Sequence, residues 1–270
     1  MPTAPSSRRD FLRLGAGAAG AAFTALGAGR ASAAEVKTLG LIFPPLNWPI
    51  PPDAARLYPN GVRFIGNGVG LPGGMTIAGY EEAIPRVLPA AKELADKGAD
   101  VVSVFGSSLT FYKGRAFHEN LIAQVAKATG RAATTQSAGL LDGLRTINAK
   151  RVALATAYTD EVTERLKVFL EEYGFTVTAA KGLGLVQIPD GAATHDILTT
   201  LGTDAYARSN KADALVMSCG RLETLSLLVP LESRLGAPVV SSTPHGLMNG
   251  VRLLGISPKA QGFGSVFAKA

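Results

Sequence analysis

The chain is predicted to be an α/β protein of two similar lobes, each a parallel β-sheet flanked by helices, with its site in the cleft between them. Strand-like and helical patterns alternate from residue 37 onwards. The strand-like runs are continuously apolar, as expected of parallel strands covered on both faces. The two halves also resemble each other: an Ala-Asp pair begins 62 residues after Lys37 and another begins 62 residues after Lys150, each directly before a strand-like run.

Eight strand-like runs and two clear helical patterns support this assignment. The strand-like runs are residues 37–43, 63–65, 101–105, 131–134, 151–156, 176–181, 214–218 and 238–241. A helical pattern covers residues 80–97, although Pro85 and Pro89 are expected to kink that helix or delay its start. Residues 160–173 form a more regular pattern that stops at Gly174. The predicted lobes are residues 34–145, completed by 245–270, and residues 146–244.

Residues 1–33 are predicted to be an export signal that is removed from the mature protein. Arg8-Arg9 precedes Phe11-Leu12, a Gly/Ala-rich apolar stretch and an Ala31-Ser32-Ala33 cleavage pattern, and this order resembles a bacterial twin-arginine signal. The alternatives are an ordinary secretory signal or a membrane anchor, but the apolar stretch is short and rich in small residues for a spanning helix. We therefore expect a periplasmic protein without a stable membrane span, whose precursor has the twin-arginine export machinery as a partner.

The charge of the chain is partly a property of this signal. The whole sequence has a formal net charge of +6. Without residues 1–33, 23 basic and 20 acidic residues remain, a net charge of +3. No cluster of Lys and Arg stands out, so nucleic acid is not an expected partner.

Cys219 is the only cysteine in the sequence. It cannot form an internal disulfide in an oxidising compartment, and about 237 residues are enough to bury a core without one. Cys219 is thus either an inert buried residue or a working thiol. The strand-like run before it ends in Cys219-Gly220, and an earlier run ends in Gly106-Ser107-Ser108, so both groups are expected at the carboxyl edges of sheets, where ligands bind.

Several short motifs, taken in order, carry a resemblance that covers nearly all of the mature chain. They are Phe43-Pro44-Pro45, Ala55-Arg56-Leu57-Tyr58-Pro59, Phe64-Ile65, Gly68-Val69-Gly70-Leu71, Gly79-Tyr80, residues 106–114, residues 151–158, Ser218-Cys219-Gly220 and residues 238–242. Together they resemble the aspartate/glutamate racemase superfamily, and within it the arylmalonate decarboxylase family. The resemblance implies the two-lobed fold and a small dicarboxylate substrate, with no cofactor and no metal.

The resemblance also implies a mechanism. Racemases of this superfamily use two cysteines, one on each face of the substrate, whereas the decarboxylases keep only the second and have glycine at the first position. This chain has Gly106 at the first position and Cys219 at the second. It is therefore expected to be a carboxy-lyase that acts on a malonate-type, arylmalonate-like acid, with Cys219 protonating an enediolate on one face. By the same analogy, the enediolate is held by the hydroxyls of Ser107, Ser108 and Tyr158 and by the backbone N–H groups of Cys219 and Gly220, beside a pocket wall shaped by Pro44 and Pro45.

The chain departs from the family pattern at three places. Ser107 stands where the family has threonine, which keeps the hydroxyl. Arg221 replaces the second glycine of the Cys-Gly-Gly motif, and its guanidinium either binds a second carboxylate or points to solvent from the first turn of the next helix. Residues 186–196 align poorly with a segment that forms part of the family's apolar pocket, so the side group of the substrate is not predicted.

Other assignments remain open. His118, His195 and His245 have no spacing typical of a metal site, and we expect none of them to take part in the reaction. A maleate isomerase-like or racemase-like enzyme is an alternative, although such enzymes ordinarily need a second cysteine. A non-catalytic periplasmic protein that binds carboxylates on the same scaffold is another alternative.

Overall fold

The computed structural model describes residues 36–270, so the predicted export signal lies outside the described part of the chain and stays a prediction. The strands are β1 Lys37–Phe43, β2 Val62–Gly68, β3 Val101–Val104, β4 Ala132–Thr135, β5 Arg151–Tyr158, β6 Thr176–Leu185, β7 Ala214–Ser218 and β8 Val239–Ser241. The helices are α1 Pro52–Leu57, α2 Ile77–Ala83, α3 Val87–Asp96, α4 Ser107–Phe111, α5 Gly114–Thr129, α6 Gln136–Thr146, α7 Asp160–Glu172, α8 His195–Ala207, α9 Leu228–Leu235, α10 Ser242–Leu253 and α11 Ser265–Lys269. Short 3₁₀ turns lie at Ile84–Arg86 and Leu225–Leu227.

The strands form two four-stranded parallel sheets, which confirms the predicted fold class. Their orders are β2-β1-β3-β4 and β6-β5-β7-β8. Strands β3 and β7, each second from the edge of its sheet, are buried along their whole length. Helices cover both faces of these strands, and this is why their sequences are mostly apolar, with Ser103 and Ser218 as the exceptions.

The repeated Ala-Asp pairs make the same contacts in both sheets. The Asp100 carboxylate accepts a hydrogen bond from the Thr38 amide at 2.7 Å, and its own amide donates to the Thr38 carbonyl at 2.9 Å. The Asp213 carboxylate accepts from the Arg151 amide at 2.8 Å, and its amide donates to the Arg151 carbonyl at 2.7 Å. Asp100 thus fixes the start of β1 against β3, and Asp213 fixes the start of β5 against β7. The internal repeat in the sequence therefore reflects the same structural contact made in both sheets.

Replacing Asp213 by alanine is expected to lower the free energy of unfolding by about 1 kcal/mol. The Asp213 carboxylate also accepts from the Lys150 amide at 2.8 Å, and the hydrogen bonds from the Arg151 and Lys150 amides lower its pKa. Its contribution should therefore be present at neutral pH and be lost as the pH falls through this lowered pKa. Denaturant unfolding tests this, with Asp213→Asn, which keeps an acceptor oxygen, as the matched control. An equal loss in both variants would contradict the hydrogen-bonding role.

The predicted helix over residues 80–97 is interrupted. Helix α2 begins earlier than predicted, because the Thr76 hydroxyl accepts a hydrogen bond from the Gly79 amide at 3.0 Å. The chain then tightens into the 3₁₀ turn that contains Pro85 and continues as α3. Pro89 is tolerated because it is the third residue of α3, where an amide hydrogen is not needed inside the helix.

Helices α6 and α10 cross in direct backbone contact and connect the two sheets. Each follows the last strand of its sheet without a loop. A Cβ atom on Gly139 would lie 2.5 Å from the carbonyl oxygen of His245 and 2.6 Å from the Cα of Gly246, so only glycine permits this approach. Helix α10 follows β8 of the second sheet yet packs on α6, which follows β4 of the first sheet. The predicted lobe boundaries stay a prediction.

Candidate active site

A small cavity of about 70 Å³ lies where the loops after β1, β3 and β7 converge. Most of its wall is apolar, and the polar side chains on it are Ser107, Ser108, Cys219 and Arg221. Its apolar lining consists of Phe43, Pro44, Pro45, Trp48, Pro51, Leu71, Met75, Phe105, Gly106 and Gly220. The cavity is at the carboxyl ends of the strands, as predicted for a ligand site in parallel sheets.

Cys219 contributes a buried thiol to this cavity. The residue is 4% exposed, and its Sγ lies 3.8 Å from the Sδ of Met75. Burial raises the pKa of the thiol to about 11, although the Arg221 amide, the Tyr158 hydroxyl and the Arg221 charge lower it in part. At neutral pH the group is therefore a protonated thiol, which suits a proton donor better than a nucleophile.

Four hydroxyl groups beside the cavity form a closed ring of hydrogen bonds. Ser107 Oγ lies 3.1 Å from the Tyr158 hydroxyl and 3.1 Å from Ser242 Oγ. Ser218 Oγ closes the ring at 3.4 Å from each of Tyr158 and Ser242. The ring joins the ends of β5, β7 and β8 to the start of α4. Each hydroxyl has one proton, so a member of the ring that donates to a ligand gives up one bond within the ring, and it does so without a permanent positive charge.

Tyr158 is the last residue of β5 and lies behind Ser107 rather than on the cavity wall. It is fully buried, and its ring packs edge-on against Phe111 with centroids 5.8 Å apart. Burial raises the pKa of its hydroxyl well above the usual value, so the group stays a neutral donor. Its hydroxyl contacts Ser107 and also lowers the pKa of the Cys219 thiol.

Gly106 faces Pro44 with no space for a side chain. A Cβ atom at position 106 would lie 2.4 Å from the Pro44 Cγ and 2.9 Å from its Cδ. The backbone at Gly106 has a φ of −153°, an extended conformation that any residue adopts, so contact with Pro44 is what favours glycine there. A second thiol at this position would require Pro44 to move.

Tyr80 lies behind the cavity wall, and the sequence pointed to it only as part of the Gly79-Tyr80 motif, not as a site residue. It is fully buried, and its hydroxyl lies beside Ser108 without the geometry of a hydrogen bond. No described residue gives this hydroxyl a hydrogen-bond partner. Burial raises its pKa far above the usual value, so it remains a neutral O–H group close to Cys219. The sequence signal was only a Gly-Tyr pair in a helix, and packing alone brings it to the site.

Gln136 holds the two halves of the site in register and was also not predicted. Its side-chain oxygen accepts a hydrogen bond from the Ser107 amide at 2.9 Å. Its side-chain nitrogen donates to the Thr243 hydroxyl at 3.1 Å, and that hydroxyl donates to the Gly220 carbonyl at 2.9 Å. One buried amide thus positions Ser107 on the first lobe and Gly220 on the second.

Arg221 does not lie in the first turn of a helix, so that expectation is wrong. Residues 220–221 form a turn, and the next helical residues begin at Leu225. Two hydrogen bonds hold this turn: the Thr243 hydroxyl donates to the Gly220 carbonyl, and the Leu222 amide donates to the Cys219 carbonyl at 3.2 Å. The Arg221 guanidinium lies over the ring of Trp48, 5.1 Å from its centroid. Arg221 and Trp48 therefore lie together on the cavity wall.

The three histidines have no place on the cavity wall. His118 bonds the Tyr173 hydroxyl at 2.8 Å and the Thr135 hydroxyl at 2.7 Å. His245 contacts the backbone of Ser241, and burial lowers the pKa of both His118 and His245 to about 4. His195 begins α8. Within residues 36–270, no group of three or more His, Cys, Asp or Glu side chains is arranged to hold a metal ion.

Comparison with known proteins assigns this arrangement to a family. The family model described as arylmalonate decarboxylase matches residues 39–267. Arylmalonate decarboxylase from Bordetella bronchiseptica is 42% identical over 236 residues, which are 87% of this chain and 98% of that protein. The chain belongs to the arylmalonate decarboxylase family. This membership confirms the resemblance seen in the sequence and the prediction of a carboxy-lyase.

Two further relatives show which kinds of enzyme share this fold. A solved variant of arylmalonate decarboxylase in its liganded form matches with a TM-score of 0.82 at 41% identity, covering 87% of this chain and all of that chain. Maleate isomerase from Nocardia farcinica is 32% identical over 181 residues, which are 64% of this chain and 70% of that protein. The two-lobed fold is thus common to decarboxylases and isomerases, and the site residues have to distinguish them.

The poorly aligned segment takes no part in the cavity wall. Residues 186–196 are absent from the cavity lining, which in the described chain includes Met75 instead. The Met75 amide donates to the Val186 carbonyl at 2.6 Å, so the segment supports the wall from behind. In this member of the arylmalonate decarboxylase family, the apolar lining comes mainly from the first lobe.

Among residues 36–270, no helix is both long and apolar enough to cross a bilayer.

Proposed function

We propose that the protein decarboxylates a malonate-type acid with an aryl or similar apolar substituent, without a cofactor, and that Cys219 protonates the resulting enediolate on one face. The single observation that carries this proposal is the protonated, buried thiol of Cys219 on the wall of an apolar cavity that also contains Gly106, where there is no room for a second thiol. The family membership supports the reaction class.

The first step needs donors for negative charge and an apolar place for the departing group. The bond between the α-carbon and one carboxylate breaks, carbon dioxide leaves, and the electron pair passes into the remaining carboxyl group as an enediolate. The hydroxyls of Ser107 and Ser108 lie on the cavity wall to stabilise these two oxygens, and the buried Tyr158 hydroxyl behind them orients Ser107. No described residue accepts a hydrogen bond from the amides of Cys219 and Gly220, so these amides supply two further donors. The apolar wall favours loss of the charged carboxylate as neutral carbon dioxide.

The second step transfers a proton to carbon. The Cys219 thiol gives its proton to the α-carbon of the enediolate, and the thiolate regains a proton from solvent. Since no second acid faces the cavity from Gly106, the proton is delivered from one side only. The product is therefore expected to be a single enantiomer when the substrate carries two different substituents.

The protonation state of Cys219 provides a direct prediction. Because burial raises the thiol pKa to about 11, the proton-donating form is complete at neutral pH and is lost only as the pH rises towards that value. Ultraviolet thiolate absorbance should stay at the baseline from about pH 6 to about pH 9, and alkylation by iodoacetamide should be slow in that range. Cys219→Ser gives the absorbance baseline. A thiolate already present near neutral pH would contradict a proton-donor role.

A panel of substrates followed by NMR in deuterium oxide tests the proposed reaction. The panel contains phenylmalonate, an alkylmalonate, maleate and an α-amino acid. We expect phenylmalonate to yield α-deuterated phenylacetate and maleate to be left unchanged. Conversion of maleate to its trans isomer would favour the isomerase alternative, and binding of phenylmalonate without any product would favour the carboxylate-binding alternative.

A further inference from the structure

A second, more polar cavity of about 340 Å³ adjoins the active-site cavity. The two share part of their walls, namely Pro45, Trp48, Pro51, Gly220 and Arg221. The rest of the second wall is formed by Asn47, Pro49, Pro52, Asp53, Leu222, Glu223 and Thr243. A molecule seated beside Cys219 therefore has space to extend past Trp48 into a polar compartment.

Asp53 is the most unusual group in this second cavity. It is 8% exposed, yet no described residue donates a hydrogen bond to its carboxylate or forms a salt bridge with it. Burial raises its pKa to about 6, the positive charge of Arg56 opposes this shift, and the negative charge of Glu223 adds to it. Arg56 does not pair with it, because the Arg56 guanidinium lies over the Phe263 ring at 5.8 Å from its centroid.

The Asp53 carboxylate is largely withdrawn from bulk water and has no protein donor, so its charged form is disfavoured. Asp53 lies in the first turn of α1, where an acidic side chain is favoured by the helix dipole. The helix dipole explains why an acidic residue is found at this position. An exposed aspartate would interact with the dipole equally well, so the dipole does not explain why the carboxylate lies in a cavity wall. A ligand that brings an N–H donor or a positive charge would supply the missing partner.

We propose that the second cavity is a substrate subsite in which Asp53 binds a protonated amine at the far end of the substrate's α-substituent. The inference rests on the proposed function, because it names the side group of the same malonate-type substrate. The apolar part of that group would lie between Trp48 and the Cys219 cavity, and the ammonium would reach Asp53. Glu223 adds a second negative charge at the same end, while Arg221 remains stacked on Trp48.

Binding of two stable monoacids tests this subsite without any turnover. Phenylacetate and para-aminomethyl phenylacetate correspond to decarboxylated products, so calorimetry at about pH 8 reports binding even if the protein does not decarboxylate malonates. We expect the wild-type protein to bind the aminomethyl compound about tenfold more tightly, because a hydrogen bond between charged groups is involved. In Asp53→Asn the ratio of the two affinities should fall to about one, and in Glu223→Gln it should fall only in part.

The pH dependence in the wild-type protein gives a second, independent measurement that does not depend on a variant folding. The preference for the aminomethyl compound should be present at about pH 8 and be lost as the pH falls through about 6, where Asp53 is protonated. Charged groups that face Asp53 or line the cavity are Arg56, Glu223 and Arg221, and repeating the titration in Glu223→Gln separates the two carboxylates. Equal affinities of the wild-type protein for the two compounds, or a preference that survives Asp53→Asn or is independent of pH, would overturn the proposal.

Discussion

Cys219→Ala is expected to lower kcat for phenylmalonate by about 10²–10⁴-fold, because the enediolate then lacks its positioned acid. The buried thiol has no second acid to replace it on the opposite face, where Gly106 packs against Pro44. Carbon dioxide release and product formation should fall together. Without the thiol, the enediolate either recombines with carbon dioxide to give back the substrate or is protonated slowly by water.

The folding of this variant can be checked separately from its activity. Removing one sulfur atom from the cavity wall is expected to cost about 1 kcal/mol of unfolding free energy, which leaves the protein folded at ordinary temperature. Cys219→Ser fills the same space with a hydroxyl that is a far weaker acid, and it should be as inactive as Cys219→Ala. Unchanged turnover in either folded variant would exclude the thiol from the reaction.

Tyr158→Phe is expected to lower kcat for phenylmalonate by about 10–100-fold, because Ser107 on the cavity wall loses the buried hydroxyl that orients it. The ring would still pack against Phe111, so the loss is confined to the hydroxyl that bonds Ser107 at 3.1 Å. KM should change less than kcat, because negative charge at the enediolate oxygens develops only in the transition state.

Tyr173→Phe provides a matched control for this substitution. The Tyr173 hydroxyl bonds His118 at 2.8 Å and contacts no residue of the cavity wall, so losing it should leave turnover close to that of the wild-type protein. The two variants should differ little in thermal stability and greatly in rate. A Tyr158→Phe variant as active as Tyr173→Phe would show that the hydroxyl ring is only a packing feature.

The strands were predicted well where both faces are buried and less well at sheet edges. Residues 37–43 and 214–218 were predicted with the observed boundaries of β1 and β7, because nearly all of their residues are buried and most are apolar. Strands β2 and β6 run beyond the predicted 63–65 and 176–181, because they are partly exposed edge strands and their ends contain glycine and polar residues. Tertiary hydrogen bonding extends them where apolar pattern is weak.

The candidate site was predictable only where it lies directly after a strand. Ser107, Ser108 and Cys219 follow β3 and β7, and their place at the carboxyl edge follows from the topology of parallel sheets. Tyr80 and Gln136 lie in helices, where a tyrosine or glutamine has no distinctive pattern, and only packing between the lobes brings them to the cavity. The stacking of Arg221 on Trp48 likewise depends on a turn that the sequence pattern did not indicate.

The stereochemistry of the product tests the account most directly. Methylphenylmalonate, which carries two different substituents, is incubated with the wild-type protein in deuterium oxide, and the resulting phenylpropionate is analysed by chiral chromatography and mass spectrometry. Protonation by the single thiol of Cys219 predicts one enantiomer that carries one deuterium at the α-carbon. A racemic product would show that solvent protonates a free enediolate from both faces, and it would contradict the role assigned to Cys219.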